Sequence, residues 1–148
     1  MGRGTIIHPE KVKPYLCIEN YVSKLLLDHT NTETKNFQIN MGIVSSGAAL
    51  LPASKHGEIG ERNNDEIYII LEGSCKFEMD GEVYLLKKDD IVFIPAGVYH
   101  GLDNREGTEP VKLLTIWGGL PNENHLYSQR VKEWGKSFVL IDENLPSS

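Results

Sequence analysis

The order of apolar and polar positions along this chain predicts a succession of short strands separated by turn residues. Tyr21 to Asp28, YVSKLLLD, combines alternation with an apolar run, and Phe37 to Val44 alternates so that Phe37, Ile39, Met41 and Ile43 share one face. Between them HTNTETKN carries Thr, Asn and charge, the make-up of a solvent-facing turn. A Ser-Ser-Gly turn at 45–47 leads into a strand over Ala48 to Ser54. Asp65 to Gly73, DEIYIILEG, opens on carboxylates, runs through β-branched residues and stops at a Gly turn; Glu66, Tyr68 and Ile70 lie on one face of it, a face otherwise apolar. Ser74 to Met79 and Glu82 to Leu86 flank Asp80-Gly81, the two-residue combination that favours a type I′ hairpin, so CKFEM and EVYLL pair antiparallel. Ile91 to Ile94 precedes Pro95, and Val111 to Trp117 is the last clear strand before the Gly-Gly-Leu-Pro break at 118–121.

About nine strands with closely spaced turns and no long helical pattern between them indicate an all-β sandwich or closed barrel. The barrel core spans roughly residues 20–118 of a single domain covering 1–148. Gly2 to Pro14 is read as an added edge strand without site chemistry, and His8 as a surface residue. In the extension of about 119–148, ENHLYSQRVKEWG predicts one short helix, since Leu126, Val131 and Trp134 roughly follow helical spacing. That tail is expected to pack outside the barrel or at a subunit contact.

Composition narrows the function classes. The chain has 148 residues, 40% of them hydrophobic, enough to bury one core. A net charge of −6 opposes nonspecific binding to nucleic acid or to an anionic membrane. Apolar runs fall short of the roughly 20 residues of a membrane span, and MGRGTIIHPEK lacks the apolar segment of a signal peptide, so a cytoplasmic protein is expected. Cys17 and Cys75 have no metal-like spacing and are both read as reduced. The sequence contains no Walker loop, zinc-finger spacing, dinucleotide Gly fingerprint or Gly-x-Ser-x-Gly elbow, and no organic cofactor is indicated.

Candidate chemistry concentrates in Asp89 to Asn104, DDIVFIPAGVYHGLDN. Pro95 fixes its own φ, Gly97 permits a positive φ, and Val98-Tyr99-His100 resume extended structure, which aims the imidazole of His100. This stretch resembles the second motif of the cupins, G-x5-P-x-G-x2-H-x3-N, through Asp89, Pro95, Gly97, His100 and Asn104. Only the leading Gly is replaced, by an Asp that tolerates left-handed backbone. The end of the first cupin motif, E-x6-G, is matched by Glu66 and Gly73. Its usual H-x-H falls on Ile59 and Glu61; in the other register His56-Gly57-Glu58 supplies an H-x-E pair on the opposite strand face, unless a bulge at Gly57 or Gly60 intervenes.

The resemblance implies a double-stranded β-helix, a jelly-roll-like barrel, with a divalent metal held by His56, Glu61, Glu66 and His100, Glu58 being the substitute for Glu61. Carboxylates and imidazoles without a thiolate suit Mn²⁺, Fe²⁺, Zn²⁺ or Ni²⁺. It also implies a metal-dependent enzyme of dioxygenase, decarboxylase, isomerase or lyase type, acting on a small polar or carboxylated molecule, with Glu66 or Glu61 as general base. The alternative is a metal-free binding module for a sugar or small metabolite, with Glu66 and His100 as a buried pair. Tyr68 is expected to point into the cavity, either offering its hydroxyl there or serving as a core tyrosine, and Arg62 either reaches an anionic ligand from the rim or sits in solvent. Asn104 is read as bracing its turn, Tyr99 as turned away from the cavity, and Trp117, Trp134 and Phe138 as packing residues; His29 and His125 have no ligand-like partner at useful spacing. Chains of this type pair as homodimers through edge strands and terminal segments, and a homodimer is expected here.

Overall fold

The computed structural model describes residues 2–12, 16–18, 21–28, 31–50 and 65–118. Its strands in chain order are β1 (Leu16–Ile18), β2 (Tyr21–Leu27), β3 (Phe37–Val44), β4 (Ala49–Leu50), β5 (Glu66–Glu72), β6 (Ser74–Met79), β7 (Glu82–Lys87), β8 (Ile91–Ile94), β9 (His100–Asp103) and β10 (Val111–Gly118). They form a six-stranded sheet in the order β1-β2-β3-β10-β5-β8 and a four-stranded sheet in the order β4-β9-β6-β7. The strand pairs in both are antiparallel. Of the expected edge strand over Gly2 to Pro14, the described residues 2–12 hold only a short 3-10 turn at Pro9–Lys11, and the edge role falls to β1. A proline at the start of that turn favours tight turning and cannot donate to a ladder. The predicted C-terminal helix lies outside the described residues.

Local chemistry accounts for the turns. Asp80 and Gly81 both have positive φ (52° and 82°), as a type I′ turn requires, and Met79 pairs with Glu82 across it. Asp89 stands at φ 75°, so the Asp that replaces the motif glycine does occupy left-handed backbone. Gly97, at φ 81°, is the third residue of a turn in which the Val98 N–H donates to the Pro95 carbonyl at 3.2 Å.

The two sheets face each other over a core in which Tyr21, Val44, Tyr68, Ile70, Val111 and Leu113 from the larger sheet meet Cys75, Phe77 and Leu102 from the smaller. One strand is oriented against its hydrophobicity. On β3 the apolar set Phe37, Ile39, Met41 and Ile43 forms the face turned away from the barrel core, with Phe37 half exposed but Met41 buried, whereas Gln38, Asn40 and Val44 turn inward and are fully buried. Pairing with β10 decides this: Val44 opposes Val111, Asn40 opposes Thr115 and Gln38 opposes Trp117, and directly opposed residues share a face. The barrel interior is therefore apolar at one end and carries amides at the other.

Candidate functional site

The amide-bearing end also holds Glu66 and His100. Glu66 opens β5, opposite Trp117 on β10 and Ile94 on β8; His100 opens β9, opposite Met79 on β6. The segments carrying them are tied together, since the backbone N–H of Ala96 donates to Asp65 Oδ1 at 3.1 Å. The Asp80 N–H donates to the Tyr99 carbonyl at 2.9 Å and fixes the chain immediately before His100. The imidazole is buried, its ring 5.5 Å from that of Tyr68 and 6.3 Å from that of Phe77.

His100 Nδ1 lies 2.9 Å from the Val98 carbonyl. A carbonyl only accepts, so Nδ1 carries the hydrogen, and in the neutral ring the Nε2 lone pair faces Glu66. Nε2 stands 3.6 Å from Glu66 Oε2, with side-chain exposures of 4% and 16%. That separation is long for a hydrogen bond but lets both atoms reach one cation at bond lengths of about 2.0–2.2 Å. The rear hydrogen bond to a carbonyl is the device that orients metal-binding imidazoles. These two residues thus fit a divalent metal. Among the described residues no group of three or more His, Cys, Asp or Glu gathers at one point; His56, Glu58, Glu61 and Arg62, expected to complete the site, lie outside them, as do His29, His125, Trp134 and Phe138.

Other expectations have definite positions. Tyr68 points inward, buried, with its ring edge-on to Phe77 at 5.6 Å. Tyr99 is exposed. Asn104 braces its turn: Nδ2 donates toward the carbonyls of Val44 (3.4 Å), Ser45 (3.1 Å) and Glu109 (2.8 Å). Gly107 is required beside it, because a Cβ there would collide with Asn104 Oδ1.

Gln38 and Asn40 were not legible as site residues. Ser23 Oγ lies 2.6 Å from Asn40 Oδ1, yet Asn40 Nδ2 and both amide atoms of Gln38 have no hydrogen-bond partner among the described residues. An unpartnered buried polar atom costs roughly 1–3 kcal/mol, so three on one wall call for water or a ligand. The available signal was parity: Thr115 shares the i, i+2 spacing of Val111, Leu113 and Trp117, which marks the inward face of β10 and, through pairing, that of β3.

Toward the other end, a cavity of about 460 Å³ is lined by Cys75, Lys76, Leu86, Lys87, Asp103 and Asn104. Burial, aided by the charge of Asp103, pushes the Cys75 thiol up to about 11, so it stays protonated at neutral pH and offers no thiolate. Cys75 is a free thiol, as expected.

The cupin-domain family matches residues 49–117, the span that holds Glu66, Gly73, Pro95, Gly97, His100 and Asn104. The chain belongs to the cupin superfamily. The uncharacterized protein MJ1618 of Methanocaldococcus jannaschii is 32% identical to this cupin over 107 residues, covering 71% of this chain and 78% of that protein. A 5-nitrosalicylic acid 1,2-dioxygenase from a Bradyrhizobium species is 35% identical over 68 residues, 46% of this chain and 32% of the dioxygenase, so the likeness spans about a third of that enzyme. Among solved structures, a predicted oxalate decarboxylase from Thermotoga maritima superposes with a TM-score of 0.63 at 18% identity over 78% of this cupin and 100% of the other chain, a likeness of fold. Among the described residues no helix is long and apolar enough to cross a membrane.

Proposed function

We propose that this cupin holds a small polar or carboxylated molecule in the barrel mouth at a divalent metal and acts there as a metal-dependent enzyme of dioxygenase, decarboxylase, isomerase or lyase type. The observation that carries this reading is the buried His100, fastened through Nδ1 to Val98 and turned through Nε2 toward Glu66 at 3.6 Å. Glu66 and His100 would hold the metal, with His56 and Glu61, or Glu58 in its place, as the further donors expected from sequence. Bound there, a divalent metal supplies Lewis acidity toward a ligand carboxylate or carbonyl.

The chain's own groups do the rest. Glu66 is the carboxylate set beside His100 among the described residues; whichever of Glu66 and Glu61 is released from the metal would accept a proton leaving the ligand. The rings of Tyr68 and Phe77 pack against the imidazole and restrict water on that side. A relative that acts on 5-nitrosalicylic acid supports a carboxylated ligand. The homodimer expected from sequence belongs to this reading, supported by exposed Ile91 and Phe93 on the edge strand β8 and Val83 and Leu85 on the edge strand β7.

Elemental analysis of protein purified without an affinity tag tests the metal. Close to one Mn, Fe, Zn or Ni per chain, lost in His100→Ala while the barrel stays folded, is the expected outcome. A preparation that holds no metal and cannot be reconstituted overturns the enzyme reading and leaves a metal-free binding module.

A further inference from the structure

Gln38 is fully buried, and neither its Nε2 nor its Oε1 has a hydrogen-bond partner among the described residues. Asn40, also fully buried, is held by the Ser23 hydroxyl on Oδ1 and leaves Nδ2 unspent. A hydroxyl donates or accepts, so turning the Asn40 amide over would merely leave its oxygen unspent; turning Gln38 over changes nothing. One wall of the barrel therefore presents both donors and acceptors that the protein does not satisfy.

The strand registers place that wall at the mouth already described. Gln38 opposes Trp117, which opposes Glu66, and Asn40 opposes Thr115, which opposes Tyr68. Two strand spacings of about 4.8 Å set the Cα atoms of Gln38 and Glu66 about 10 Å apart. Trp117 stands between them on the same inward face, so the polar ends of Gln38 and Glu66 flank its indole.

We propose that Gln38 and Asn40 form a hydrogen-bonding rail that reads a hydroxyl group, and that the ligand is accordingly a small hydroxylated carboxylate. This rests on the reading of the Glu66 and His100 end as a ligand site and adds the class of molecule. A second carboxylate offers only acceptors and leaves Gln38 Oε1 unanswered, and an alkyl chain answers neither amide. A hydroxyl donates to Oε1 and accepts from Gln38 Nε2 or Asn40 Nδ2. A site built this way rejects the analogue lacking the hydroxyl, because its own amides are then left unpartnered.

The test uses the full chain and matched pairs of acids: malate and tartrate against succinate, and gluconate against hexanoate, titrated by calorimetry with and without Mn²⁺. Mn²⁺ alone is titrated first. The hydroxylated member of at least one pair is expected to bind about tenfold or more tightly than its partner. Gln38→Met, which keeps the volume and removes both amide atoms, should erase that preference and melt at or above the temperature of the parent. No preference in any pair in the parent protein, a preference that survives Gln38→Met, or a melting temperature that falls in the variant each overturns the proposal. Failure of Mn²⁺ to bind would end the metal reading alone, since a hydroxyl preference in metal-free protein still decides this one.

Discussion

Strand β9 and the residue after it link two buried polar side chains with opposite fates. His100 is 3% exposed and Asn104 1%. Asn104 spends its amide nitrogen on the carbonyls of Val44, Ser45 and Glu109. His100 spends Nδ1 on Val98 and directs the other nitrogen across the barrel to a carboxylate on the facing sheet. Neither burial nor an unpartnered atom separates structure from function in this barrel, since Asn104 Oδ1 also has no hydrogen-bond partner among the described residues; the groups that answer each nitrogen do. Backbone carbonyls around Asn104 close the turn, whereas at the other end the imidazole of His100 faces the carboxylate of Glu66 across the barrel.

The largest expected change in stability breaks the structural end. Asn104→Ala strips donors from three carbonyls and should cost about 3 kcal/mol in denaturant unfolding, with metal uptake unaltered; a loss of metal at unchanged stability would reverse the assignment of the two ends. His100→Ala should abolish metal binding and lose about 2 kcal/mol, because the ring packs on Tyr68 and Phe77 and leaves a cavity. If metal content survives that substitution, the imidazole is not a ligand. Glu66→Gln sharpens the contrast: metal affinity should drop by about tenfold or more while stability moves by less than about 1 kcal/mol. A large stability loss in a parent that binds no metal would instead identify Glu66 and His100 as a structural ion pair.

The smallest effect lies at the Asn104 end. Two hydrogen bonds from the Arg105 guanidinium and one from its backbone N–H hold Asp103 down at about 2. An ordinary unfolded Asp titrates near 3.9. A depressed folded value means the contribution is complete above about pH 4 and disappears as pH falls through about 2. Arg105→Ala should therefore be slightly less stable than the parent at pH 7, the gap narrowing over that acid window. A difference that persists below pH 2 would assign Arg105 some role besides this pair.

What sequence reasoning reached it reached through local rules. The Asp80-Gly81 hairpin, the left-handed Asp89, the Gly97 turn and the bracing role of Asn104 follow from the φ preferences and hydrogen-bonding habits of a few adjacent residues. Alternation put Glu66 and Tyr68 on one face, and the barrel bears that out. On β3 it set Phe37, Ile39, Met41 and Ile43 on one face, as the structure has them, but alternation defines two faces without saying which one is inside. Choosing by hydrophobicity favours that apolar set, which lies on the face turned away from the barrel core.

By itself, then, the sequence determined where the chain turns, which side chains share a strand face, and the cupin motif that carries Glu66 and His100. Tertiary structure alone decided which face of each strand looks inward, how Glu66 and His100 meet across two sheets, and that Gln38 and Asn40 are buried on the inner face of β3. The reason is physical. Turn geometry is set within a few residues, whereas inwardness is a property of the pairing of β3 with β10 and β10 with β5, between segments far apart along the chain.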